Sequence, residues 1–351
     1  MSKLFLFALA AAGFALLPGC DISDSDKTPR IENIPESAEI LLLSNKDTKG
    51  RRKEIYAMNS DGSNLTRITH SDVHHFLVGI DPQKRYLVAT RAVEDTNLPA
   101  GLGDEDMKSL WVIDLETGEE TRLTEEGVHA EGKSFSPDGE WIVFWMQKNS
   151  SRASDIYKIR RDGTELIQLT HTEDVYGFDP AWSNDGESIV FTSFDLKIGR
   201  SILKSMDSDG GNPRVVFDGG EGIATPLFPA GNYDPSWSPD DNWIVFTRAV
   251  SFDSEIGGEN TGAGVWNIFK VRSDGTDVKN LSEENTQANA ANYLPSFSLD
   301  SRHILFSSRH SLPDQEMLTV DIYSMTATGG SAKKLTNSKN AIYFDMGTWI
   351  K

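Results

Sequence analysis

His74, His75, His129 and Glu131 are the residues of this chain whose types could do chemistry together. Clustered imidazoles and carboxylates are what a zinc or transition-metal site requires. Tyr176, Tyr233, Tyr293 and Tyr343 fall in comparable places, a few residues ahead of a recurring aromatic position, with Asp179, Asp234 and Asp345 close by. Tyrosines, histidines and acids around one opening suit a peptide, a sugar or a cation. The histidines follow no ligand spacing, so no metal is assigned. His70, His171, His303 and His310 read as loop or strand-flanking residues. No Gly-x-Ser-x-Gly, His-Glu-x-x-His or Walker sequence occurs, which leaves no nucleophile, zinc-protease or phosphate-binding motif. Ser201/Lys204 and Ser331/Lys334 match Ser-x-x-Lys by chance within strand-like sequence. "DSDGG" at 207–211 lacks the downstream glutamate of a calcium loop and reads as a hairpin turn. No catalytic residue and no cofactor is therefore expected, with calcium on acidic loops a weak alternative. Arg91, Arg248 and Arg309 are expected to pair with local acids.

The elements that position these residues come from an internal repeat, which must be sought first. One unit runs from an aromatic strand through a tight turn to an apolar strand, as in "FDPAWSNDGESIVFTSF", "KSFSPDGEWIVFWM", "DPSWSPDDNWIVFTR" and "LPSFSLDSRHILFSSR". Its anchors are Ile80, Phe135, Trp182, Trp237, Phe297 and Trp349. The second unit is strand, turn and strand, ending in Leu-Thr or similar, as in "EIYAMNSDGSNLTRIT", "DIYKIRRDGTELIQLT" and "NIFKVRSDGTDVKNLS". Short runs rich in Ile, Val, Phe and Trp between turn residues are strands, and Asp-Gly suits tight hairpins because it tolerates positive φ. Each pair of units supplies four strands, A to D. Six such sets define an all-β, six-bladed β-propeller of four-stranded antiparallel blades. The chain starts on a B-type strand, "AEILLLSN", and finishes on an A-type strand, "IYFDMGTWIK". The ring is thus expected to close as one C-terminal strand plus three N-terminal ones.

Alternating strand direction puts the short A–B and C–D turns on one face and the B–C loops and D–A crossings on the other. The long segments 92–108, 218–232 and 249–265 belong to the second face, and loops of that length are usually functional. His74, His75, His129, Glu131, Tyr176, Tyr233, Tyr293 and Tyr343 are placed there, round the mouth of the central channel.

The net charge of −19, from 34 basic and 53 acidic residues, repels phosphate backbones and excludes nucleic-acid binding as the expected role. The single cysteine, Cys20, leaves no intrachain disulfide and follows Lys3, an apolar run from Leu4 to Leu17, and Pro18-Gly19. That run is too short to span a bilayer and has the layout of a secretory signal. Leu17-Pro18-Gly19-Cys20 resembles the bacterial lipobox, which implies cleavage after residue 19 and a lipid anchor on Cys20. Asp21 fits the pattern that retains lipoproteins in the inner membrane of enteric bacteria, and the choice of membrane stays open. The organisation read from the sequence is a signal peptide over 1–19, the lipidated cysteine and a flexible tether over 20–37, and the propeller over 38–351.

"DPAWSNDGESIVF", "DPSWSPDDNWIVF" and the strand–Asp-Gly–Leu-Thr units resemble the repeats of TolB-type propellers, which also form the N-terminal propeller of prolyl oligopeptidases. The resemblance covers roughly residues 38–351. It implies a monomeric binding platform for an envelope protein or peptide, exposed to the periplasm or cell surface and held to the membrane through its lipid. Neither the α/β domain that precedes the TolB propeller nor a following peptidase domain is expected. The alternative is a metal-dependent polysaccharide lyase or carbohydrate-binding propeller, through a resemblance to oligogalacturonate lyase and its metal-binding histidines.

Overall fold

The computed structural model describes residues 30–48, 52–71, 73–92, 108–147, 153–171, 175–225, 229–252, 264–283, 291–311, 318–338 and 344–350. Cys20 with the segment read as a signal peptide, Tyr343, and most of segments 92–108 and 249–265 lie outside the described residues. Every regular element among the described residues is a strand. After β1 (Arg30–Ile31), the chain forms β2 (Ile40–Ser44), β3 (Glu54–Met58), β4 (Thr66–Arg67) and β5 (Thr69–His70). Blade two is β6 (His75–Ile80), β7 (Tyr86–Ala92), β8 (Lys108–Asp114) and β9 (Glu120–Arg122). Blade three is β10 (His129–Phe135), β11 (Trp141–Gln147), β12 (Ser154–Arg160) and β13 (Ile167–Gln168). Blade four is β14 (Val175–Trp182), β15 (Ser188–Asp195), β16 (Arg200–Asp207) and β17 (Arg214–Phe217). Blade five is β18 (Asn232–Trp237), β19 (Trp243–Phe252), β20 (Gly264–Arg272) and β21 (Lys279–Asn280). Blade six is β22 (Ala291–Phe297), β23 (His303–Ser311), β24 (Leu318–Thr326) and β25 (Lys333–Lys334).

The last strand, β26 (Phe344–Trp349), pairs antiparallel with β2, so blade one has the order β26-β2-β3-β4. This is the one-plus-three closure expected from the repeat. β1 adds to β5, and Ile31 and Ile34 pack against the blade-one core. The last residues of the segment read as a tether therefore lie against the propeller. One parallel contact, Trp266 with Ala291, links blades five and six into a single hydrogen-bonded path.

Three side-chain signatures explain why the repeat has its sequence. In the A–B turns, Ser136, Ser183, Ser238 and Ser298 each donate to the aspartate two residues on. Each also accepts, at 2.9 Å, the backbone N–H of the residue five on. The Ser-x-Asp pattern is thus a turn lock of the Asx and ST type. At the outer edge, the hydroxyl of the Leu-Thr pair stands in for a ladder partner. Thr69, Thr124, Thr170, Ser282 and Thr336 accept backbone N–H groups of the adjacent strand at 2.9–3.1 Å. In three blades that threonine also donates to a carboxylate, from Thr69 to Glu54, Thr170 to Asp155 and Thr336 to Asp321.

Apolar packing between blades supplies the core. Six clusters each span two neighbouring blades. The cluster joining blades six and one (Ile40, Leu42, Tyr56 and Met58 with Leu305, Ile322 and Leu335) is built like the others. The third signature, the Asp-Gly turn between strands C and D, meets the outer strand of the preceding blade. A Cβ on Gly62 would stand 2.3 Å from the Leu335 carbonyl oxygen, and one on Gly275 2.4 Å from that of Val216. Gly118, in the corresponding turn of blade two, has nothing within 4 Å.

Both Gly62 and Gly118 have positive φ, 90° and 75°, but only Gly62 sits against the neighbouring blade. Gly62→Ala is expected to cost about 2–3 kcal/mol from backbone strain plus the carbonyl clash, and Gly118→Ala about 1 kcal/mol from strain alone. Urea unfolding measures both. Equal losses would show that the turn does not brace the blade joint.

A charged channel through the ring

Each inner strand carries a β-bulge, seen as a register shift against its neighbour. Bulges re-aim side chains. At four of them a non-glycine residue has φ near +50°: Asp179 (49°), Asp234 (53°), Leu294 (52°) and Met346 (56°). Proline follows three of these, at 180, 235 and 295, where its missing N–H suits a position outside the ladder. The inner strands surround a channel cavity of about 240 Å³, to which all six contribute, among them Leu77, Lys133, Asp179, Asp234, Leu294 and Thr348.

At the mouth, charges are matched. Lys53 Nζ lies 2.7 Å from Asp345 Oδ2, and the Tyr293 hydroxyl donates to Asp345 Oδ1 at 2.9 Å. Burial alone would raise the Asp345 carboxyl, but the Lys53 ammonium and the Tyr293 hydrogen bond hold it below its ordinary value. Across the opening, Lys108 Nζ lies 2.8 Å and His129 Nε2 2.9 Å from Glu131 Oε1. The pull of burial on Glu131 is likewise overcome, by the His129 hydrogen bond and the Lys108 charge. His129 stacks on Trp145 at 5.1 Å, and Lys108 sits 4.4 Å above the Phe76 ring. His74 packs on Phe76 at 4.5 Å. Burial and the positive charges of Lys53, Lys108 and Arg52 push its imidazole down to about 4.

Deeper, charges are not matched. Asp179 is pushed up to about 8 by burial, by the negative charges of Asp234 and Glu131, and against the opposing pull of Lys133. Asp234 is raised by burial, although it accepts the Leu294 N–H at 3.1 Å. Burial depresses Lys133 despite the acids of Asp234, Asp179 and Asp345 around it.

The structure brings His74, His129, Glu131 and Tyr293 together at this mouth. His75 points elsewhere: it is fully buried, with Nε2 3.3 Å from Ser71 Oγ and 3.7 Å from Glu54 Oε2. Tyr176 packs on Phe194 at 6.1 Å, and Tyr233 sits edge-on to Trp266 at 5.6 Å and donates to the Pro229 carbonyl at 2.8 Å. Among the described residues no group of three or more His, Cys, Asp or Glu is placed to hold a metal ion. Arg91 makes a two-point bond to Glu120 at 2.8 Å, whereas Arg248 binds the Asn232 amide oxygen and the Gly219 carbonyl. Sequence reasoning missed Lys133. Its signal lay in the repeat, where it stands in the slot held by Pro180, Pro235 and Pro295.

A closed ring of six such blades round a charged channel defines a six-bladed β-propeller. The model of the TolB beta propeller domain matches residues 94–250, and the chain is similar to that family over this stretch. An uncharacterized protein of Agrobacterium fabrum is 34% identical over 150 residues, 40% of this chain and 46% of its own. The match thus spans about half the length of that relative. Among solved structures, TolB from Acinetobacter baumannii aligns with a TM-score of 0.64 at 16% identity, over 90% of this chain and 68% of that one. A putative TolB from Agrobacterium tumefaciens aligns at 0.55 and 20% identity, over 86% and 88%. These likenesses carry the fold.

Asp179 gives the channel a pH signature. Its folded value lies above its unfolded one, so between about pH 4 and pH 8 the folded state holds the extra proton. Its contribution to stability is full below pH 4 and is lost as pH rises through about 8. Asp179→Asn is expected to gain stability over wild type progressively from pH 5 to pH 9, read from urea midpoints. A difference that does not vary with pH would sink this assignment.

Proposed function

We propose that this chain is a lipid-anchored protein of the bacterial envelope whose propeller binds a protein or peptide partner on the channel-mouth face. The observation that carries the reading is apolar exposure on that face. Leu196 and Ile198, in the B–C connection of blade four, are 46% and 42% exposed, and Phe252, at the B–C side of blade five, is 37% exposed. They share the face with the Lys53–Asp345 and Lys108–Glu131 pairs and with Tyr176 and Tyr233. Apolar anchors rimmed by polar groups are the anatomy of a protein interface. The net charge of −19 favours a partner with a basic surface. Cys20 supplies the anchor in this reading, and the segment after it lets the ring work near the membrane surface.

Cells carrying the affinity-tagged full-length protein are to be crosslinked and the captured proteins identified. A discrete partner is expected with wild type and with Leu299→Glu, which alters an exposed residue (57%) in an A–B turn on the opposite face. Leu196→Glu/Ile198→Glu is expected to lose at least about 90% of it, since a buried charge at an apolar contact costs several kcal/mol. Equal capture by both variants would move the interface off this face. Cys20→Ser is expected to shift the protein from the membrane to the soluble fraction, and retention on the membrane would refute the anchor.

A further inference from the structure

β1 shows where the chain joins the ring. It pairs antiparallel with β5, Arg30 opposite His70 and Ile31 opposite Thr69, and so extends the outer edge of blade one. β5 ends the D strand of that blade, and the chain passes from it into the crossing that leads to His74 and His75. The His75 N–H donates to the Lys53 carbonyl at 3.0 Å, and Lys53 belongs to the channel mouth. His70, and with it Arg30, therefore lies at the mouth-face end of the blade. From Arg30 the chain runs along the edge toward the opposite face, where β2 begins. It is pinned on the way. The Glu32 N–H donates to the Ile68 carbonyl at 2.8 Å and the Ala38 N–H to that of Pro35 at 2.9 Å, while Ile31 and Ile34 pack on the blade-one core. Whatever precedes Arg30 thus departs from the face that carries the mouth.

Cys20 stands ten residues before Arg30, a span of at most about 35 Å when fully extended. Blade strands such as β8 and β11 are seven residues long, which sets the two faces of the ring roughly 23 Å apart. A tether that doubled back to the short-turn face would use about two thirds of its reach on the way, and one leaving from the mouth face uses none. The mouth face is a poor match for lipid itself. The segments 92–108 and 249–265, which the repeat assigns to it, hold eight acidic residues against the single Lys108. Such a surface is repelled by anionic headgroups and attracted by a basic protein.

We infer that the mouth face is turned toward the membrane and that its partner is a protein fixed in that membrane. The partner's basic exposed part fills the space, at most about 35 Å deep, between bilayer and ring. The inference rests on the lipid-anchored, partner-binding reading above. Leu196, Ile198 and Phe252 lie on blades four and five, across the ring from the exit on blade one. Tether and contact thus hold opposite sides of the ring and fix its tilt together.

The test uses the full-length protein, purified from membranes and placed in vesicles of phosphatidylethanolamine and phosphatidylglycerol that carry an energy acceptor on their headgroups. A donor dye is attached at Lys197→Cys, in the B–C connection of blade four, or at Leu299→Cys, in an A–B turn, both exposed positions. The dye at 197 is expected to lie nearer the bilayer by about 20 Å and to give the stronger transfer. A Gly-Ser insertion of about twenty residues between Lys27 and Thr28 is expected to remove that difference, because the ring can then turn over. Equal transfer from the two positions, or stronger transfer from 299, would overturn the orientation. A difference that survives the insertion would overturn it too, by showing that the face holds lipid on its own. In cells, a photocrosslinker at the same two positions is expected to capture a protein from 197 and not from 299. That protein is expected in the membrane fraction of cells lacking this chain. A captured protein found in the soluble fraction would overturn the membrane-fixed partner and leave the interface standing. No capture from 197 would refute the interface and the membrane-fixed partner with it, while the vesicle result decides the orientation. Failure of the anchor is read separately, by the Cys20→Ser fractionation given above.

Discussion

No blade of this protein can cover its own faces, and everything else depends on that. Strands such as β2 and β3, buried along their whole length, need apolar neighbours on both sides, and only the adjacent blades supply them. Six shared clusters satisfy that need in rotation, and a ring is the arrangement that leaves no blade uncovered. Short turns and hydroxyl-capped edges then finish the surface at low cost. The channel is a by-product of this packing, because six twisted sheets leave an opening where their innermost strands converge.

That opening is where the structure tolerates strain. Leu294 and Met346 hold left-handed backbone that costs on the order of 1–3 kcal/mol per residue, and Asp179 and Asp234 hold carboxyl groups whose charged form burial disfavours. Ring packing over-determines these positions, so the bulges survive. The result is a layered electrostatic path: paired charges at the surface, unpaired ones below. Lysines 53 and 108 come from other strands or their flanks and neutralise inner-strand acids across the mouth.

The fold was legible because the repeat writes its physics in side chains. Ser136-Pro137-Asp138-Gly139 states a turn lock, Leu169-Thr170 an outer-edge cap, and Trp182, Trp237 and Phe297 the blade anchors. Closure was legible too, from a B-type start and an A-type finish. The site was legible only in part. His129, Glu131 and Tyr293 fell where the repeat put them, but His75, one residue from His74, turns between blades to meet Glu54 because strand neighbours face opposite ways. Lys53, Lys108 and Lys133 escaped notice for a different reason. A lysine has no motif of its own, and its importance comes from which carboxylate it meets across blades, which a linear reading does not contain. Likewise nothing in Arg30 and Ile31 announced that they would pair with Thr69 and His70.

Blade one contains the first and the last strands of the propeller. Until β26 is made, β2 keeps an open edge and the channel has no sixth wall. The two strands that must meet are separated by nearly the whole propeller, so their encounter carries the largest loop-closure cost in the molecule. A chain that emerges N-terminus first therefore passes through a stage in which five blades are formed and one sheet is three strands wide with an unsatisfied border. Such a border is a template for another copy of the same border, which makes the interval before the last strand arrives the time when these molecules are most exposed to sticking together. The final strand works as a latch in time as well as in space.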